Sequence, residues 1–498
     1  SPGRTNPTYQ PIRAEKQAMW STPNPFLNGP FEPLRNAYVV SDLHVEGHIP
    51  LELSGTLYRT GSNQHFRPVD VDHFHWFDGD GMVHAFHLKD GRASYCNRLV
   101  ETDGLKVERA AGRALYNGIS GHSDKPQEAL PEGAPRIKSV AGINVISLGG
   151  KVLTMHEIDP YYWDLDPRTL ETRGKFDFGG SFETMLTAHP HTDHHAGEML
   201  FYAHDNEAQT LDCFATDMAG QVLSRHRVAL PFKPWIHDFA FTENFYVFVF
   251  GPIRTQPYAE HLIPMGRSAL SFEAGARTRF LLVHRETGVS RWLESDLFIT
   301  LGHYLNAHEV EGQIVIDASV TRTLDPGFAG RVEDFYPFPL VDAPSPFSGP
   351  ELHRMVLDIV TGTVSTTRIG EFNAEFVRPN EKVMGRPHRY GYMTGIHQPG
   401  PQTRGFNCII KHDYLSGVSH FQHLSGGYDM TPGEAIFVAK QDAKAEDEGW
   451  VMVVWWDPVR NASELVIHDA QDFEGAPIAR IRLDHHIPLG FHGNWIPG

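Results

Sequence analysis

The sequence predicts an all-β protein, a seven-bladed β-propeller with a loop and helical cap over its central axis. Three observations carry this. Strand-type text dominates, one hairpin unit recurs seven times, and a histidine or glutamate follows most of those hairpins at a similar distance.

The strand-type runs include "NVISLGGKVLTMHE" (144–157), "FYVFVFG" (245–251), "GQIVIDASV" (312–320) and "WVMVVWWDP" (450–458). They alternate in polarity or are rich in β-branched and aromatic residues, and Gly, Pro and Asp break them. Long stretches with helical period are scarce.

The recurring unit is a strand, a tight turn with Asp or Gly, and a second strand. It reads "FHLKDGRASYCNRLV" at its first occurrence and "VIHDAQDFEGAPIARIRL" at its last. Its anchors are Asp90, Asp166, Asp217, Arg285, Asp358, Asp413 and Asp469, spaced by 76, 51, 68, 73, 55 and 56 residues. A period near 50 with a hairpin in each unit is the pattern of propeller blades. The extra length falls in loop-like text, so cap loops are expected near 110–136, 252–278 and 322–350. The expected organisation is one propeller over 1–498, with an N-terminal extension over 1–35.

Beyond the anchors, His189, His237, His303 and His492 follow Asp166, Asp217, Arg285 and Asp469 by 23, 20, 18 and 23 residues. Glu375 and Glu434 follow Asp358 and Asp413 by 17 and 21. If each hairpin is the outer part of a blade, this offset is where the chain re-enters the centre. Glu157, 67 residues past Asp90, completes the set on the long first unit. Four neutral imidazoles suit a first-row transition metal such as ferrous iron and leave room for exogenous ligands. Carboxylates nearby can take the other ring N–H of each ligand and offset the cation's charge. Zinc in a catalytic site more often has three protein ligands. Of the other histidines, His191, His194 and His195 are expected in a turn after His189, the "DHH" at 484–486 at a surface strand end, and His308 facing away from His303.

The net charge of −18 argues against a nucleic-acid partner. Three scattered cysteines, without a CxxC, fit a reducing compartment and exclude a thiolate metal site. No apolar run is long enough to span a membrane and no signal peptide is recognisable, so a cytoplasmic location is expected.

Motifs spread along the chain carry a family resemblance. They are "NPFLNGPFEPL" (24–34), "GTLYRTGSNQHF" (55–66), "WFDGDGMVHAFHLKDG" (76–91), "LDPRTLETRG" (165–174), "TAHPH" (187–191), "WIHDFAFTENFYVF" (235–248), "HYLNAHE" (303–309), "EAIFV" (434–438) and "GFHGNW" (490–495). In these the chain resembles the carotenoid cleavage oxygenase superfamily, which takes in carotenoid, apocarotenoid, stilbene and isoeugenol cleaving dioxygenases and the animal retinoid isomerase. The resemblance implies a seven-bladed propeller with Fe(2+) on its axis. It implies iron ligands His189, His237, His303 and His492, and outer glutamates Glu157, Glu375 and Glu434. It also implies O2 and a lipophilic or aromatic conjugated alkene as partners, with the C=C bond cleaved to two carbonyls. The 250–272 stretch is a candidate lid, with peripheral membrane contact or an inert surface loop as its two readings.

One departure bears on substrate. Stilbene and isoeugenol cleaving members carry a Lys directly before the outer glutamate, where it binds the substrate phenol. Here that position is His156. They carry a Tyr where this chain reads "RALYNGIS" (113–120), which makes Tyr116 a second pocket candidate. An apocarotenoid or other phenol-free polyene is therefore the first expectation, and a stilbene or isoeugenol-type alkene the alternative. A non-redox isomerase on the same iron and a binding scaffold with a degraded site are the remaining readings. A calcium-dependent propeller hydrolase would want oxygen ligands on the axis.

Overall fold

The computed structural model describes residues 19–330, 345–400, 403, 405–424 and 428–498. The first part of the expected N-terminal extension and residues 331–344 of the third expected cap loop lie outside them.

The repeat has a local cause. In five units the anchoring aspartate turns its carboxylate onto backbone N–H groups just ahead of it. Asp166 accepts from Arg168 and Thr169, Asp217 from Ala219 and Gln221, Asp358 from Val360 and Thr361, Asp413 from Leu415 and Ser416, and Asp469 from Gln471. These are Asx turns, in which the side chain closes the hairpin. Asp90 and Gly91 instead have φ of 52° and 72°, the pair of positive values that a tight two-residue hairpin needs. The fourth unit departs from its expected anchor by one residue. There His284 Nδ1 accepts from the N–H groups of Glu286 and Thr287 (3.3 and 3.2 Å), and Arg285 is its neighbour.

Each anchored hairpin joins the two outer strands of a blade. In the second blade the strands are Asn144–Leu148, Lys151–Met155, Tyr162–Leu165 and Thr172–Phe176, paired in that order. The third runs from the broken inner strand Met185–Leu186/His191–Asp193 through Glu198–Asp205 and Thr210–Thr216 to Val222–Ala229. The fourth runs from Ala240–Phe241 to Ser290–Glu294. The fifth and sixth form one continuous sheet because Val364–Arg378 serves both. Its first part pairs with Glu351–Asp358 and its last part with Tyr390–Ile396, and Gly370 (φ 69°) bends it between them. The seventh blade is built on Gly449–Asp457 and Ala462–Asp469.

The ring closes twice. Gly490–Pro497 becomes the innermost strand of the first blade by pairing with Gly55–Ser62. His44–Gly47 becomes the outer edge of the seventh by pairing with Ala479–Arg482. Seven hydrophobic clusters lie between neighbouring blades, one at each interface. Leu57 and Phe86 of the first blade, for example, pack on Met452 and Leu465 of the seventh.

Above the axis the chain leaves the strands. Helix Asp103–Ala111, capped by Thr102 and ended by Gly112 in the left-handed conformation, leads into a long irregular stretch. That stretch docks on a hairpin of Ile253–Thr255 and Leu270–Phe272 and the turns between them. Ser123 N–H donates to Gly266 O (2.9 Å) and Gln127 N–H to Pro264 O (2.7 Å). Asp78 Oδ1 anchors it from below by accepting from Ile119 and Ser120 N–H (3.0 Å each).

The interface between the closing blades makes a testable demand. Leu465 is fully buried there. Leu465→Ala should cost about 2–5 kcal/mol through the cavity it leaves, seen as a lower thermal midpoint with an unchanged far-ultraviolet circular dichroism spectrum.

Candidate metal centre

The innermost strands are irregular where they meet the axis, and the irregularity aims the side chains. His189 sits between Met185–Leu186 and His191–Asp193, and Pro190 after it offers no ladder N–H. His237 precedes Ala240–Phe241. His303 lies in a register shift between Leu301 and Tyr304. Glu375 lies in one that ends at Arg378, and Glu434 in the gap between Thr431–Pro432 and Ile436–Ala439. The strand carrying His492 shifts register opposite Arg59 and Gly61. Such bulges turn a side chain out of the alternating pattern.

Glu157 arrives by a different route. It comes from the turn after Lys151–Met155, the second strand of its blade, and not from the innermost strand. This is why its distance from Asp90 does not match the other offsets. The innermost strand of that blade supplies Asn144, whose Nδ2 donates to Ala188 O (3.0 Å) beside His189.

His189, His237, His303 and His492 each offer a nitrogen within 4.8 Å of the others. His237 Nδ1 donates to Glu157 (2.7 Å), His303 Nδ1 to Glu375 (2.7 Å) and His492 Nδ1 to Glu434 (2.6 Å). No carboxylate among the described residues takes the fourth; His189 is held by burial and by its N–H on Thr187 Oγ1 (2.9 Å).

The glutamates fix the tautomer. With the proton on Nδ1, Nε2 presents its lone pair to the axis. Yet His237 Nε2 lies 3.2 Å from both His189 Nε2 and His303 Nε2. Lone pairs that close repel unless a cation lies among them. The donor set thus fits a divalent transition metal, with four neutral nitrogens inside and three carboxylates outside.

The local electrostatics also favour positive charge. Burial pushes the His303 imidazole down, but Glu375, Asp238 and Glu434 outweigh it and hold it up at about 9. Burial would raise Glu434, but Arg378 and His492 hold it down at about 2. Arg378 Nη1 donates to Glu434 Oε1 (2.8 Å), and Gly493 N–H donates to the same oxygen (3.0 Å). Phe376, in the left-handed region at φ 51°, turns its N–H onto Glu375 and lays its ring along His303 (5.8 Å, 17°). Trp235 stacks on His237 (5.5 Å, 12°).

The cluster closes one side of a cavity of about 1470 Å³. Phe26, Trp76, Phe77, Ile143, Phe376 and Phe491 give it an apolar wall. His156 lies on that wall, buried, with Nδ1 unpartnered, and burial pushes it down to about 4. Tyr116 does not reach the axial cavity. It lines a separate pocket of about 50 Å³ that it shares with His156, and its hydroxyl there is buried without a partner.

Two other histidine expectations are corrected. His191 begins a strand, and its Nε2 pairs with Asp238 (2.9 Å), whose other oxygen accepts from Tyr304 N–H (2.9 Å). His486 is buried and donates to Glu32 O (2.6 Å), while His485 stacks on Tyr38 (3.8 Å). Asp238 and Arg378 were missed in the sequence. Each directly follows, or lies three residues beyond, an axial residue, but their partners are far away in the chain.

The family model described as retinal pigment epithelial membrane protein (RPE65) matches residues 31–497. The chain belongs to this family, that of the carotenoid cleavage oxygenases. It is 30% identical to the isoeugenol monooxygenase of Pseudomonas nitroreducens over 498 residues, covering 95% of this chain and 98% of that protein. It is 30% identical to the apocarotenoid-15,15'-oxygenase of Synechocystis over 510 residues, covering 98% and 99%. The crystal structure of the lignostilbene dioxygenase of Pseudomonas brassicacearum superposes with a TM-score of 0.83 at 27% identity, over 96% of this chain and 99% of that one. These oxygenases and this chain share one architecture from end to end.

The site makes two predictions about metal. His303→Ala should purify without a stoichiometric transition metal by mass spectrometry; full metal content would remove His303 from the ligand set. Glu434→Gln keeps an acceptor for His492 but loses the charge. Its affinity for a divalent transition metal should fall about 10–100-fold, and wild-type affinity would mean that the Arg378-held charge does not matter to the metal.

Proposed function

We propose that this protein is an Fe(2+)-dependent dioxygenase that cleaves a C=C bond of a conjugated alkene with O2 to give two carbonyl products. The observation that carries the reading is the four-histidine cluster, with Glu157, Glu375 and Glu434 behind it, opening onto a large aromatic-walled cavity. The names of the relatives support the same reaction class.

His189, His237, His303 and His492 would hold the iron. When bound, ferrous iron would supply the redox chemistry that the reaction of O2 with an alkene needs. The protein's own residues do the rest. The three Nδ1–H donations keep the imidazoles oriented with Nε2 toward the axis. Arg378 keeps Glu434 ionised, so its hydrogen bond to His492 stays charge-assisted. Phe376, Phe491, Trp76 and Phe77 exclude water and pack against the flat face of a conjugated substrate.

An apocarotenoid or similar polyene is the leading substrate class. A cavity of about 1470 Å³ exceeds the roughly 300–1,000 Å³ of ordinary small-ligand sites, which suits a long chain. A stilbene or isoeugenol-type alkene is the second reading, supported by the isoeugenol and lignostilbene relatives. Tyr258 and Met265 are exposed on the segment bordering the cavity, which supports peripheral membrane contact there. Among the described residues no helix is long and apolar enough to cross a membrane.

Iron-loaded protein under air should convert an apocarotenal or a 4-hydroxystilbene to aldehydes, read by mass spectrometry, with matching O2 uptake. Turnover of the alkene without O2 uptake would overturn the dioxygenase reading in favour of isomerisation.

A further inference from the structure

The axial cavity has polar groups on its wall besides the histidine cluster and its glutamates. Part of that wall is built from the end of strand Glu198–Asp205, the residues after it, and the hairpin strand Ile253–Thr255. His204 is buried, and its Nδ1 has no hydrogen-bond partner. Asn206 lies two residues further on, and its Oδ1 is likewise buried and unpartnered. Asn206 opens the turn that Asp205 caps, and both His204 and Asn206 line the cavity. Buried polar atoms left unpaired are costly and mark places where a ligand or water completes the set.

The Asn206 amide is oriented by its neighbours. Thr255 Oγ1 donates its one proton to Pro234 O (3.3 Å). Its lone pairs are then free to accept from Asn206 Nδ2 (3.1 Å). A flipped amide would set two acceptors against each other. The atom left over in the cavity wall is therefore the amide oxygen. An acceptor there wants a donor from the ligand, so a carbonyl or an ether does not satisfy it, whereas a hydroxyl does. His204 is pushed down to about 4 by burial, so it is neutral, with one nitrogen to donate and one to accept. Asp205 and Glu183 also line the cavity and disfavour an anionic group there, while Glu207 is paired with Lys233 (3.0 Å).

We propose that His204 and Asn206 form a hydroxyl-binding end of the cavity, and that the alkene this protein takes carries a neutral hydroxyl, an alcohol or a phenol. The hydroxyl donates to Asn206 Oδ1 and meets His204 Nδ1. Thr255 is a positioning residue that acts through the Asn206 amide. This assignment rests on the alkene-cleaving reading and names its substrate class.

The test is equilibrium binding to iron-loaded protein without O2, read by quenching of the fluorescence of Trp76 and Trp235, which line the cavity. The ligands are 4-hydroxystilbene and its methyl ether, and an apocarotenol and its methyl ether. The hydroxyl form of one pair should bind about tenfold tighter than its ether, and which pair does so separates a phenol from an alcohol. Asn206→Leu should bring the two forms within about threefold of each other. Thr255→Val, which removes the acceptor that holds Asn206 Nδ2, should do the same by freeing the amide to flip. Equal binding of hydroxyl and ether by the wild-type protein would overturn the proposal, and would leave the dioxygenase reading intact if the same ligands are cleaved in air. A preference lost in His156→Phe but kept in Asn206→Leu would also overturn it. A preference that follows Asn206 and Thr255, with no cleavage of any ligand in air, would support the site and sink the reaction.

Discussion

Imidazole nitrogens 3.2 Å apart, with glutamates holding the protons of His237 and His303 on the far side, do not stay together of their own accord. Their lone pairs point at one another, and burial strips away the water that would separate them. Everything around the axis can be understood as the means of holding that unfavourable arrangement until a cation relieves it. Glu157, Glu375 and Glu434 pull three of the rings from behind. Arg378 and the Gly493 N–H keep the last of these carboxylates charged. Phe376 accepts a left-handed backbone, which costs a non-glycine residue of order 1 kcal/mol, and in return clamps both Glu375 and His303.

The propeller is suited to this task because each imidazole comes from a different blade. No local segment has to bend sharply enough to bring two ligands together. The seven inter-blade clusters fix the blades relative to one another, and the ligands inherit that rigidity. The same geometry leaves one side of the axis open. There the strands give way to the cap, and aromatic residues from several loops share the wall of one cavity with His156, His204 and Asn206.

Much of this was legible because it is written locally. An aspartate that closes its own turn leaves a mark in the sequence every time the turn recurs, and the distance from an outer hairpin to the next inner strand is nearly constant. Those two regularities were enough to locate six of the seven axial residues. Glu157 escaped the rule because it leaves its blade one strand later than the others. His284 escaped because an imidazole nitrogen does the work of a carboxylate oxygen, and a search for Asp passes it by. Arg378 and Asp238 were not legible at all: Arg378 meets Glu434 56 positions away, and Asp238 meets the Tyr304 N–H 66 positions away. Tyr116 was misplaced for a related reason, since its stretch belongs to the irregular cap, where no period fixes the direction of a side chain. The hydrogen bonds of His191 and His486 are not legible either, because their partners, Asp238 and the Glu32 carbonyl, come from other parts of the fold.

The pairing of Gly490–Pro497 with Gly55–Ser62 has a kinetic consequence. Thr60 Oγ1 donates to the carbonyl of His492 across 432 positions of chain. Contacts of such sequence separation are entropically expensive to make first and are slow to form. The six blades between can assemble from their own hairpins, but the fourth imidazole is in place only when the two ends of the ring have found each other. The four-nitrogen set is thereby complete only in the closed ring, and a ring still open at this seam presents three nitrogens, the number of protein ligands that zinc takes in catalytic sites. Closure of the ring is thus what separates a four-nitrogen site from a three-nitrogen one.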